Sequence, residues 1–176
     1  MSSAPKLAID GGLARSRRTP SYAGLAPASA RARRMAQGSS RKSGTRCELV
    51  LRRILWAKGL RYRLGGQGLP GKPDIVFLQP RIAIFCDGDF WHGRKLDERL
   101  ARLASGHNPT YWVAKIRTNV TRDLANTEKL SASGWRVLRL WETDILRAPE
   151  EAAVRVIELV REALAELGCQ LHDEPH

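Results

Sequence analysis

Apolar positions change their spacing several times between residues 43 and 170, and each change predicts an element. Thr45 precedes Glu48 by three residues, the signature of a capping box. Leu51, Ile54 and Leu55 follow at helical spacing until Lys58-Gly59 closes the helix. Leu60–Leu64 predicts a strand and residues 65–73, rich in glycine and proline, a loop. Asp74–Leu78 and Arg81–Phe85 are short β-rich runs around Gln79-Pro80, hence a hairpin. Leu96, Leu100 and Leu103 recur every three or four residues, predicting a short amphipathic helix from Lys95 to Ala104 with Gly106 as its stop. Asn108-Pro109 opens a longer helix running to about Ser131, with Val113, Ile116, Val120 and Leu124 expected on its inner face. Trp135–Trp141 predicts a strand. A last helix starts near Pro149 and is expected to bury Val154, Ile157, Val160 and Leu164. Helix, three strands, helices, strand and helix predict a three-layer α/β domain with a central mixed sheet, not a bundle or a sandwich.

Composition narrows this further. Residues 1–42 are rich in Ser, Ala, Gly, Pro and Arg without a hydrophobic period, so a basic and largely disordered arm is expected. An ordered domain is expected over 43–170 and a flexible tail over 171–176. Hydrophobic residues make up 43% of the 176, enough for a core. No apolar run is long enough for a membrane span, and the N-terminal stretch lacks a secretory h-region. Cys47, Cys86 and Cys169 form no CxxC pair, which points to a reducing cytoplasm. The net charge of +12 is unevenly distributed: residues 1–46 hold ten basic side chains and one acidic, residues 142–176 nine acidic and three basic. The basic part suits a polyanion, although a basic tail that only aids solubility would look the same.

The chemistry concentrates between residues 69 and 92. Asp74 opens one strand and Asp87 closes its hairpin partner, so an antiparallel return brings both carboxylates to one end of the sheet. Two hard oxygen donors there suit Mg²⁺, which tolerates coordination completed by water and phosphate oxygens. His92 follows five residues later as a group able to take a proton near neutrality. Each also has a plainer reading: Asp after Pro and Asp-Gly are ordinary turn formers, and Glu48 completes the capping box with Thr45.

The segments PGKPDIVF, IFCDGDFWHG, YWVAKIRTNVTRD and GWRVLRLWE, in this order, resemble the very-short-patch repair (Vsr) endonucleases of the PD-(D/E)xK superfamily, over roughly residues 33–147. The resemblance implies a restriction-endonuclease-like core and a Mg²⁺-dependent enzyme that nicks one strand of double-stranded DNA beside a T:G mismatch. It makes Asp74 the central metal ligand, with the backbone carbonyl of Cys86 and with Asp87. It makes His92 the general base or phosphate partner, Glu48 a contact through water, and Asp123 the residue that orients His92. It implies that Phe90, Trp91 and Trp112 wedge between base pairs, although Phe and Trp are as often core. Lys115, Arg117, Asn119 and Arg122 would grip phosphates, unless they are simply a solvated helix face. A monomer in the cytoplasm, at the nucleoid, is expected, with repair or defence proteins as partners.

Two departures stand out. Where better-known members bind a structural zinc, this chain reads Asp89, Arg94 and Thr143, so no structural zinc is expected. The Leu96/Leu100/Leu103 helix is the expected replacement, packing on the sheet at that place. In addition, Cys86-Asp87-Gly88 holds no superfamily lysine, which leaves water activation to His92. A restriction or phage-defence nuclease without a mismatch requirement is the alternative function, and a non-catalytic DNA-binding relic a third.

Overall fold

The computed structural model describes residues 43–66 and 68–172, together with Pro20, Gly24 and Leu25. The expected basic arm, 1–42, lies almost wholly outside the described residues. The capping box forms as the sequence requires: the Thr45 side chain accepts from the Glu48 amide, and the Glu48 carboxylate accepts from the Thr45 amide. It opens α1 (Arg46–Ala57). β1 (Arg63–Leu64), β2 (Ile75–Phe77) and β3 (Ile82–Asp87) follow, then α2 (Leu96–Ala104), α3 (Pro109–Ala132), β4 (Arg136–Trp141), α4 (Glu142–Arg147) and α5 (Pro149–His172). The short helix α4 has no counterpart in the sequence-based expectation, and α5 runs two residues into the expected tail.

The four strands form one sheet in the order β1-β2-β3-β4. β1 pairs with β2 and β2 with β3 antiparallel, whereas β3 and β4 run parallel, from Ile82 opposite Arg136 to Asp87 opposite Trp141. The parallel pair requires a crossover, and α2 and α3 form it. Strand alternation separates two cores. Ile75, Phe77, Ile82, Ile84 and Leu140 pack with Leu51 and Leu55 of α1, Ile145 of α4 and the inner stripe of α5. Ala83 and Phe85 face the other way, onto Leu130 of α3. Helices thus cover both faces of a mixed sheet, the three-layer α/β architecture of restriction-endonuclease-like folds.

Three positions expected inside lie outside. Val154 and Leu164 of α5 are exposed, and the buried stripe is Ala152, Ala153, Val156, Val160 and Ala163. Alanines let α5 approach α1 closely, so the contact selects small side chains over the larger apolar ones nearby. Leu124 of α3 is likewise exposed, while Tyr111, Ile116, Asn119 and Leu130 turn inward. α2 differs as well: it buries no residue fully and packs chiefly on α3, not on the sheet as expected.

Candidate active site

The antiparallel return of β2 and β3 does bring Asp74 and Asp87 to one rim of the sheet. The Asp74 amide donates to the Ile84 carbonyl at 2.9 Å, and its Oδ2 accepts the Cys86 amide at 2.7 Å. Burial pushes the Asp74 carboxyl up to about 6, with the charges of Glu48 and Asp87 adding to the rise and the Cys86 N–H and Arg52 opposing it. Glu48 is 3% exposed. Its oxygens accept from the amides of Gly44 and Thr45, from the Thr45 hydroxyl and from Arg52 at 2.6 Å. The same Arg52 Nη2 lies 3.4 Å from the Asp74 carbonyl, so one guanidinium ties the start of α1 to the start of β2.

Asp87 faces the α3 side of the sheet, 3% exposed, and Arg139 of β4 grips both of its oxygens: Nε donates to Oδ2 at 2.6 Å and Nη2 to Oδ1 at 2.7 Å. The expected metal ligand Asp87 thus has both oxygens engaged by Arg139. A carboxylate held bidentately by a guanidinium has its best lone pairs taken. The sequence motifs do not mark Arg139 as a neighbour of this site. The strand alternation of WRVLRLW could have flagged it, because a cation in the middle of a half-buried strand favours an acidic partner.

His92 lies beside this pair. Its Nδ1 is 2.6 Å from Asp123 Oδ2 and 3.5 Å from Asp87 Oδ1. Burial raises the Asp123 carboxyl, but the hydrogen bond from His92 and the charges of His92, Arg139 and Arg122 outweigh it and hold the group below the usual range. A carboxylate only accepts, so in the neutral tautomer that donates from Nδ1 to Asp123 the ring lone pair lies on Nε2. The structure thus brings together His92 and Asp123, the pair expected from the sequence.

The loop carrying His92 is pinned from both sides. The amides of Trp91 and His92 donate to the Gly88 carbonyl, and Asn119 Nδ2 donates to the Trp91 carbonyl at 3.1 Å. Asn119 is 6% exposed, so here its amide holds the loop instead of facing outward as a phosphate grip. Gly93 sits at φ +75°, and a Cβ there would lie 2.6 Å from Val120 Cγ2; only glycine lets the loop rest on α3. At its other end Arg94 bridges Asp89 at 3.0 Å and Asp144 at 2.7 Å, and the Thr143 amide and hydroxyl both donate to Asp89. The three positions that cannot hold zinc thus form an ion-pair and hydrogen-bond cluster joining the loop to α4.

Phe90, Trp91 and Trp112 pack on one another, with ring centroids 4.9 to 6.1 Å apart, and Arg99 stacks over Phe90. All three rings are half-buried, neither standing free nor sealed in the core. Arg117 and Arg122 are exposed and Lys115 half-buried along the same helix; Arg122 also reaches Asp123 at 3.2 Å.

Two hard oxygens at the rim, the Asp74 carboxylate and the Cys86 carbonyl, are chemically suited to a divalent cation. Among the described residues no group of three or more His, Cys, Asp and Glu side chains is placed to hold a metal ion.

The chain is similar in sequence to known DNA endonucleases. Residues 26–98 match the family model described as DNA mismatch endonuclease Vsr. The chain is 38% identical over 130 residues to the type II nicking enzyme V.NmeDIP of Neisseria meningitidis serogroup C, covering 74% of this chain and 86% of that protein. It is 39% identical over 126 residues to the type II nicking enzyme V.HpaIIP of Haemophilus parainfluenzae, covering 72% and 88%. It is 37% identical over 98 residues to the DNA mismatch endonuclease Vsr of Escherichia coli strain K12, covering 56% and 61%.

Proposed function

The chain belongs to the Vsr family of DNA endonucleases, and from that premise we propose that it nicks one strand of duplex DNA beside a T:G mismatch, with Mg²⁺ as cofactor. The observation that carries this reading is the 2.6 Å contact between His92 Nδ1 and Asp123 Oδ2, next to the rim where Asp74 lies.

The Asp74 carboxylate and the Cys86 carbonyl would hold the Mg²⁺, and Glu48 would reach it through water. Bound there, the ion supplies charge for the phosphate and lowers the proton affinity of a water. Asp123 holds the imidazole so that Nε2 faces outward with its lone pair free. Nε2 takes the proton of the attacking water, and Asp123 stabilises the imidazolium that results. The water oxygen bonds to phosphorus as the bond to the 3′ oxygen breaks.

Phe90, Trp91 and Trp112 supply apolar surface for a distorted base step. Unstacking costs a few kcal/mol and least where pairing is already poor, a physical reason for preferring a mismatch. Lys115, Arg117 and Arg122 would meet the backbone phosphates. The protein would act as a monomer near the nucleoid, and no described helix is long and apolar enough to cross a membrane.

A second reading is favoured by the relatives named type II nicking enzymes: a nicking activity belonging to a restriction system, with no mismatch requirement. A duplex carrying one T:G pair and its fully paired control, each with Mg²⁺ or EDTA, separate the two. Nicking of the T:G duplex in Mg²⁺ well above the control supports mismatch repair; equal nicking supports the second reading.

A further inference from the structure

We propose that Arg139 is a positioning residue for nicking: by clamping Asp87 it keeps that carboxylate away from both the metal and His92, so that Asp123 alone sets the imidazole. The proposal rests on the nicking chemistry given above and goes beyond it by assigning Asp87 and Arg139 a joint task.

The geometry is specific. Two carboxylates face one imidazole nitrogen, Asp123 at 2.6 Å and Asp87 at 3.5 Å from His92 Nδ1. A single N–H can serve only one of them well, and the competing bond would turn the ring away from the reacting phosphate. Arg139 removes the competition. Its planar fork takes both Asp87 oxygens, at 2.6 and 2.7 Å, in the bidentate geometry that suits Arg and not Lys. The fork is itself held: Nη1 donates to Thr127 Oγ1 at 3.3 Å, and the guanidinium lies 4.5 Å over the centroid of the Phe85 ring. Thr127 in turn donates to the Asp123 carbonyl at 3.0 Å, so the residue steadying Arg139 also touches the residue orienting His92. Arg139 Nη2 stands 3.8 Å from Asp123 Oδ2, too far to replace His92 while Asp87 is present.

A reciprocal expectation follows. In Arg139→Gln the freed Asp87 competes with Asp123 for Nδ1. In Asp87→Asn the freed Arg139 turns to Asp123 and competes with His92. Removing both ends both competitions. Each single variant should therefore lose kcat on a saturating duplex by on the order of tenfold to a hundredfold, within the reach of general-base catalysis. KM for DNA should stay close to wild type, and Arg139→Gln/Asp87→Asn should be faster than either single variant. Arg139→Lys, which keeps the charge without the fork, should fall between wild type and Arg139→Gln, and serves if the Gln variant does not fold.

The experiment is single-turnover nicking by these four variants and Asp74→Asn, with a Mg²⁺ titration of each and a melting curve to establish folding. Asp87→Asn should keep the wild-type Mg²⁺ midpoint, whereas Asp74→Asn should lose Mg²⁺-dependent activity. The proposal is overturned if the single variants nick at the wild-type rate, if the double variant is no faster than the faster single one, or if Asp87→Asn displaces the Mg²⁺ midpoint. A wild-type chain that nicks no duplex in Mg²⁺ would instead reject the proposed function, a separate outcome.

Discussion

Asp74 is an unfavourable residue for the fold alone. Its carboxyl is pushed up to about 6 by burial and by Glu48 and Asp87, so the folded chain holds that proton more tightly than the unfolded chain does. The cost is absent below the ordinary carboxylate value and complete above about pH 6. With metal chelated, Asp74→Asn should therefore raise the melting temperature at about pH 8, and the gain should shrink as pH falls from 6 toward 4. Each tenfold difference in proton affinity between the folded and unfolded chain is worth about 1.4 kcal/mol. Melting curves across that range, with nicking lost throughout, check it; a variant less stable than wild type at every pH would contradict it. The sequence made Asp74, His92 and Asp123 visible because their order and spacing carry a motif. Arg139 was not, because its meaning lies in a contact with a residue 52 positions away. A single sequence does not state such pairings.

The element that matters most for positioning is the loop from Gly88 to Lys95, held by β3 at one end and α3 along its length. Gly93 is its closest approach to α3, and both its positive φ and the 2.6 Å a Cβ would have to Val120 exclude other residues. Gly93→Ala should destabilise the fold by about 1–3 kcal/mol in chemical unfolding, and should lower nicking more than the stability loss explains, because His92 is its immediate neighbour. Unchanged stability together with unchanged nicking would show that the loop is not fixed by this contact. Element types and order were legible from apolar spacing alone. The inner face of α5 was not, because spacing identifies apolar stripes but not which of two neighbouring stripes a close helix contact selects, and here alanines won over Val154 and Leu164. The short helix α4, beginning directly at the end of β4, left no separate periodic signal. The cluster of Asp89, Arg94, Thr143 and Asp144 tethers the loop to α4 with opposite charges and a hydroxyl.

At the scale of the whole molecule, a parallel β3–β4 pair at one side of the sheet forces the crossover through α2 and α3. That crossover carries the aromatic cluster and Asp123 back over the rim where Asp74 and Asp87 lie. The acidic residues collect on α4 and α5, and the basic excess lies in the N-terminal segment and the middle of the chain. A duplex would approach the crossover side, with salt-dependent affinity as its backbone charges are neutralised. The central claim is that one metal-dependent site at this rim cuts one strand. The most direct measurement is cleavage of a T:G duplex labelled differently on its two strands, with wild type in Mg²⁺, wild type in EDTA, and Asp74→Asn in Mg²⁺. The structure predicts a cut in one label only, lost in EDTA and in Asp74→Asn although that variant still binds the duplex. Cleavage surviving in EDTA or in Asp74→Asn would contradict it.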